Sequence, residues 1–215
     1  MRTPRQFYWK GLHVPFIAPW SRESSPVSAI IRVGQGIGYA DEFSAADRRH
    51  GTLWIRQAAV RGAGDPELAG VHPLRQRQAM SHMLCQVCGT STFDSDFVRW
   101  GERHLFLVRA VGGRPIGEGE RTTTPPVCRT CAIESVGACP HLRKGYTAAL
   151  VKRAQPWGVA GIVYDPLTLK PTIPDSRLTE ASFTSPLIRW TLAARDVATL
   201  HGCTTIDLAQ LAVAA

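Results

Sequence analysis

The residues of this chain best suited to chemistry are four cysteines in two matching spacings. Cys85 and Cys88 lie in Cys85-Gln-Val-Cys88-Gly89, and Cys128 and Cys131 in Pro126-Val-Cys128-Arg-Thr-Cys131. A Cys-x-x-Cys turn offers two sulfurs to one ion, and two such turns supply the four thiolates that close a tetrahedral zinc site. With every position taken by sulfur, no place remains for a reactive water, so the zinc expected here is structural. Gly89 fits this reading, because the turn often needs a left-handed residue behind its second cysteine. His82, Cys139 and His141 stand nearby in sequence, and a second zinc on those three is an alternative use of them. A helix running unbroken from Cys131 would carry Cys139 roughly 12 Å along its axis, too far to share the first ion.

Other catalytic patterns are incomplete. Zinc deaminases share the Pro-Cys-x-x-Cys spacing but need a His-x-Glu or Cys-x-Glu tripeptide, and neither occurs. HNH-type nucleases are also stapled by two Cys-x-x-Cys pairs, and His104 lies upstream of the second pair. The chain, however, contains no asparagine, and His104 is followed by Leu-Phe-Leu rather than an acid. Asp94 and Asp96, with Glu118 and Glu120, are hard ligands of the kind Mg²⁺ takes, yet all four fall in expected loops, where solvated acids are ordinary. Gly34, Gly36 and Gly38 follow a strand without the third glycine position of a dinucleotide site, and a hairpin turn explains them better. Cys203 and His201 lack a visible orienting acid.

The charge points toward polyanions. With 25 Lys and Arg against 17 Asp and Glu, the formal net charge is +8 over 215 residues. Four thiolates around one zinc would add about −2. A basic chain gains affinity for nucleic acid by counterion release. Arg75 and Arg77 before the first cysteine pair, Arg99, Arg103 and Arg129 between and within the pairs, and Arg143 and Lys144 behind them form the expected contact set, with Phe97 or Trp100 available for base stacking. No stretch is apolar enough to span a bilayer and no secretory leader is visible, so six cysteines suggest a reducing cytoplasm.

The elements that must position these residues can be read from pattern. Residues 28–33 and 52–56 read as short strands in a β-rich N-terminal segment, 1–71. Pro73 opens a helix to Leu84 that delivers the chain to Cys85. Phe97–Trp100 and His104–Val108 read as a hairpin, 112–124 as a loop, and Cys131–Val136 as a helix. These make a zinc module over 72–145. In the C-terminal segment, 146–215, Val159–Tyr164 reads as a buried strand. Ser185-Pro186 then opens a helix with Leu187, Trp190, Thr191, Ala194, Val197 and Ala198 on one face, stopped by Gly202. The expected fold class is α+β, integrated in one body.

Knuckle, hairpin and a helix carrying the second pair resemble a treble-clef or zinc-ribbon module over residues 85–138. The run from Val71-His-Pro-Leu-Arg-Gln-Arg77 through Cys139-Pro-His-Leu142 is similar to zinc-module proteins of actinobacteria and their phages, a likeness that implies the module and no activity. The expected function is a zinc-stabilised accessory or regulatory protein binding DNA or RNA. A protein-interaction scaffold and an enzyme with a dispersed active site are the alternatives, with an enzyme the less favoured. Neither the partner nor the oligomeric state follows from the sequence.

Overall fold

A computed structural model describes residues 4–110, 112–173 and 177–213. In chain order it contains β1 (Tyr8–Trp9), β2 (Leu12–His13), β3 (Ile30–Val33), β4 (Gly36–Tyr39), α1 (Ser44–Asp47), β5 (Arg48–Arg49), β6 (Thr52–Trp54) and α2 (Pro73–His82). There follow α3 (Ser95–Arg99), β7 (His104–Arg109), β8 (Arg121–Thr122), α4 (Arg129–Ala138), β9 (Tyr146–Val163), β10 (Thr179–Ser182), β11 (Thr191–Ile206) and α5 (Leu208–Val213). The chain is α+β, as its sequence suggests.

The long antiparallel pair β9 and β11 is the axis of the main sheet. Two short strands share the free edge of β9: β7 along Tyr146–Val151 and β10 along Gly158–Gly161. The free edge of β11 is likewise divided, with β8 antiparallel at Ala198–Thr199 and β6 parallel at Leu192–Ala193. Register shifts between Ala193 and Arg195 and between Val197 and Ala198 interrupt the axis near its middle. A glycine is required where strands crowd: a Cβ on Gly158 would lie 2.1 Å from the Ala181 carbonyl oxygen, and one on Gly161 2.3 Å from that of Leu192.

The helix expected from Ser185 to Gly202 is not formed. Pro186–Trp190 make one 3-10 segment, and from Thr191 the chain is strand, with the short α5 beyond it. The apolar stripe that suggested a helix is a strand buried on both faces, including Leu192, Ala193, Ala194, Val197 and Leu200, so the alternation that marks a half-exposed strand is missing. Phe97–Trp100 also differs from expectation. Asp94 accepts a hydrogen bond from the Phe97 N–H at 3.0 Å and caps helix α3, so only His104–Arg109 is strand. The 112–124 loop contains β8 and the buried Ile116. None of the described helices is long and apolar enough to cross a membrane.

The N-terminal stretch is folded onto the cysteine region. The Phe16 N–H donates to the Val87 carbonyl at 2.7 Å and Ile17 N–H to that of Gln86 at 3.2 Å, while the Gln6 amide reaches the Cys88 carbonyl at 3.0 Å. Beneath this wrap, Leu105, Leu107, Val127, Ala132, Ala148 and Leu208 pack with Cys85 and Cys131 into one core.

Candidate metal centre

Helix α2 ends at Met83, whose left-handed backbone (φ 47°) turns the chain toward Cys85. From there the chain makes a tight loop. Cys85 N–H donates to the Thr90 carbonyl at 2.7 Å and Gly89 N–H to the Cys85 carbonyl at 2.8 Å. Two further amides, of Val87 and Cys88, point at Cys85 Sγ at 3.4 and 3.5 Å, a polar cradle for a thiolate. Gly89 adopts φ +74°, and a Cβ there would stand 2.7 Å from the Phe16 ring, so both the backbone and the packing ask for glycine. Thr90 Oγ1 lies 2.9 Å from Cys88 Sγ.

The second pair arrives at a helix N-terminus. Cys128 is the N-cap of α4 and Cys131 lies in its first turn, where the N-terminal end of the helix favours negative charge. The lead-in is tied to the first loop: Gln86 N–H donates to the Pro126 carbonyl at 2.9 Å, and its side-chain amide to that of Pro125 at 3.1 Å. Val127 N–H donates to Leu105 of β7 at 2.9 Å. Sequence elements 40 residues apart are thereby locked, and Cys88 Sγ stands 3.9 Å from Cys128 Sγ.

Ligand atoms of Cys85, Cys88, Cys128 and Cys131 all lie within 4.8 Å of one another, so the group could hold a metal ion. Sulfurs around a tetrahedral ion with bonds of ~2.3 Å lie about 4 Å apart, which matches this spacing. As thiols, the four act on one another. Hydrogen bonding from Cys128 holds Cys85 and Cys88 below the usual thiol range, whereas Cys131 is pushed above it by its bond to Cys128. A bound dication removes that competition by taking all four as thiolates.

Surrounding groups are arranged around this charge. Arg61 is held between the Phe7 and Phe16 rings, 5.0 and 5.2 Å from their centroids. Burial, reinforced by the charge of Arg75, brings its pKa down to about 10, opposed in part by Glu23 and then by Cys88. His13 Nδ1 lies 3.1 Å from Glu134 on α4. His13 and Glu134 also group with Cys131, but that cysteine already belongs to the four, leaving the pair as neighbours of the centre.

The remaining sequence candidates are dispersed. Among the described residues His82, Cys139 and His141 do not assemble into a ligand group: His82 is exposed at the end of α2, and Cys139 ends α4. Arg75 does not present itself to a nucleic acid. It is 4% exposed and donates to both carboxylate oxygens of buried Glu23 at 2.6 Å. Arg77 rests 4.5 Å over the Trp54 ring, Arg129 pairs with Asp96 at 3.3 Å, and Arg103 donates to Thr204 Oγ1 at 2.7 Å. Arg99, Arg143 and Lys144 are exposed.

His104 is buried, with Nδ1 2.8 Å from Thr92 Oγ1 and its pKa lowered by desolvation, which suits a core position. His201 does have an acid that the sequence did not reveal: Nδ1 lies 2.9 Å from Glu118, which comes from the 112–124 loop. Cys203 nonetheless donates to the Gly117 carbonyl at 3.4 Å, and burial followed by Glu118 and Glu120 raises its pKa, so it stays a thiol. Set against protein-family models, curated proteins and solved structures, the chain matches none.

Proposed function

We propose that a structural zinc joins the four cysteines and that the protein binds nucleic acid through the basic outer end of this module. The zinc reading is supported by donor chemistry, since four thiolates at tetrahedral spacing with amide donors around them suit zinc and leave no open coordination position. Loop, strand and a helix N-terminus carrying the second pair resemble a treble clef or zinc ribbon.

The observation that carries the binding reading is where the charges fall. Acids are widely used inside the protein: Glu23, Glu42, Asp47 and Asp96 pair with arginines, and Asp94 caps α3. These pairings take up arginines as well as acids, so the formal excess of +8 is carried by the remaining basic side chains. At the end of the cysteine module Arg109, Arg143 and Lys144 are exposed. They are neighbours because Arg109 pairs with Tyr146 in the β7–β9 register and Ala110 N–H donates to Gly145 at 3.1 Å. Phe93, 58% exposed and packed on His104 at the opposite end of β7 from Arg109, leaves a flat face there on which an unpaired base can stack.

The test is a titration of zinc-loaded protein with single- and double-stranded DNA and RNA over a salt series. Saturable binding that weakens steeply with salt is expected. The triple variant R109A/R143A/K144A should reduce the logarithmic salt slope by about 2–3, roughly one for each phosphate contact removed. Absence of binding at low salt overturns the reading.

A further inference from the structure

Beside the four cysteines stands a second group of metal-type donors. Cys131 and Glu134, three positions apart on α4, lie on one face of that helix, and β2 brings His13 against them. Their ligand atoms, a sulfur, a carboxylate oxygen and an imidazole nitrogen, all lie within 4.8 Å of one another. His13 Nδ1 is 3.1 Å from Glu134 Oε2. A nitrogen and an oxygen bound to one tetrahedral ion at ~2.0–2.2 Å stand about 3.3 Å apart, so this spacing fits a shared ion.

The imidazole is held in place by groups on its other side. Nε2 lies 2.9 Å from Gln6 Oε1, and the Gln6 amide N–H donates to the Cys88 carbonyl at 3.0 Å, which leaves the oxygen turned to His13 as an acceptor. That fixes the tautomer. Nε2 carries hydrogen, and Nδ1, which faces Glu134, has the lone pair to give. The Tyr8 ring stacks on the imidazole, centroids 4.9 Å apart, and sets its plane. A hydrogen-bond acceptor on the far nitrogen of a histidine is the support that ligating histidines receive in metal sites. Between Nδ1 and the carboxylate a positive charge is needed, and it is either a proton, which makes an ion pair only, or a metal ion.

The third donor, the local charge and the access favour the metal. Four thiolates around one dication keep a formal charge of about −2, which draws a second cation to their side. A thiolate sulfur retains lone pairs after binding one ion and can bridge two, so Cys131 can serve both. His13 and Glu134 also line a cavity of about 330 Å³ between β2 and the end of α4, whose other walls include Leu12, Leu68 and Ala138. An ion can enter there. Three protein donors leave one position for water, the ligand count of an open site rather than a closed one.

We propose that His13, Glu134 and Cys131 bind a second divalent ion of the zinc class, with the Cys131 thiolate bridging it to the ion of the four cysteines. The mixed nitrogen, oxygen and sulfur donors suit such an ion. The inference rests on the four-cysteine zinc reading, since Cys131 is shared, but the second ion can be removed without the first.

The test is elemental analysis of the full chain after saturation with zinc and removal of excess, together with titration of metal-free protein with Co²⁺ followed by absorption. The wild type should hold two ions per chain. The first equivalent of Co²⁺ should give the charge-transfer bands of a tetrathiolate site, and the second should perturb those bands because it binds a sulfur already engaged. E134A and H13A should each hold one ion, keep the first step and lose the second; E134A, at an exposed helix position, remains informative if H13A disturbs the N-terminal wrap. Q6A should weaken the second ion by about tenfold or more and leave the first unchanged. One ion per chain in the wild type with an intact tetrathiolate spectrum means a His13–Glu134 ion pair only and overturns this inference alone. Two ions retained in E134A overturn it as adventitious binding. No tightly held ion overturns the four-cysteine reading with it.

Discussion

Arg75 and Glu23 meet below the surface with His72 beside them, Nε2 of the imidazole lying 3.9 Å from the carboxylate. His72 is completely buried, and desolvation lowers its pKa from the ordinary value of 6.5. The unfolded chain therefore takes up a proton at His72 before the folded protein does, so stability declines as pH falls below about 6.5. Burial alone would raise the Glu23 carboxyl, but the hydrogen bond and charge of Arg75 bring it below its usual value. Its contribution is present above the unfolded carboxylate pKa and disappears as pH falls through the lower, folded one. Thermal melts should accordingly show a loss of stability in two stages, and His72→Gln should remove the first stage while leaving the second. A flat wild-type profile between pH 7 and pH 5 would contradict this assignment. The example also explains what was legible at this scale. Cysteine pairs are recognisable because each pair is local, whereas the meaning of Arg75 depends on a partner 52 residues away. Gly89 was readable for the same local reason. Gly89→Ala should cost about 1–2 kcal/mol from the left-handed backbone alone and more from displacement of Phe16, measured by denaturant unfolding at fixed zinc.

At the scale of elements, β11 was the least legible. Its alanines and spaced apolar residues satisfy a helical pattern, and only pairing with β9, burial on both faces and the edge strands decide for a strand. The helix α3 was hidden for a different reason. Asp94 is of the hard-ligand type that Mg²⁺ takes, but its position before Ser95 is that of an N-cap. Helices α2 and α4 were readable because proline and the cysteine motif mark their starts. Gln76 links α2 to the broken register of β11, its side chain accepting from the Asp196 N–H at 2.9 Å and donating to the Asp196 and Thr123 carbonyls at 3.0 and 2.7 Å, and nothing in its sequence neighbourhood indicates that. Gln76→Ala leaves one amide and two carbonyls without their partner and should destabilise the protein by roughly 2–4 kcal/mol, given ~1–3 kcal/mol for each buried group left unsatisfied and partial rescue by water. Amide exchange at Asp196 should accelerate more than exchange at Val151, which lies in the other half of the sheet axis.

For the molecule as a whole, the α+β class could be anticipated, but the sheet could not. Its strands come from both flanks of the cysteine module and, as β7 and β8, from within it, and no local pattern states that β6 should lie parallel to β11. The zinc proposal makes a global prediction. Removal of the ion by a strong chelator, or Cys131→Ser, should loosen the core containing Leu105, Val127, Ala148 and Leu208, seen as loss of amide protection there and a lower melting temperature. Unchanged melting of verified metal-free protein would count against a structural ion. The division of labour in the sheet also has a temporal side. During synthesis β6 leaves the ribosome long before its neighbour, since Leu53 pairs with Leu192. The cysteine loop, α4 and β7 are complete much sooner and can organise first, while β5 and β6 wait as an unpaired hairpin. Among the described strands β11 emerges after the others and closes both halves of the sheet, so a chain stalled before β11 should keep β6 open to proteases and to mispairing with other nascent strands.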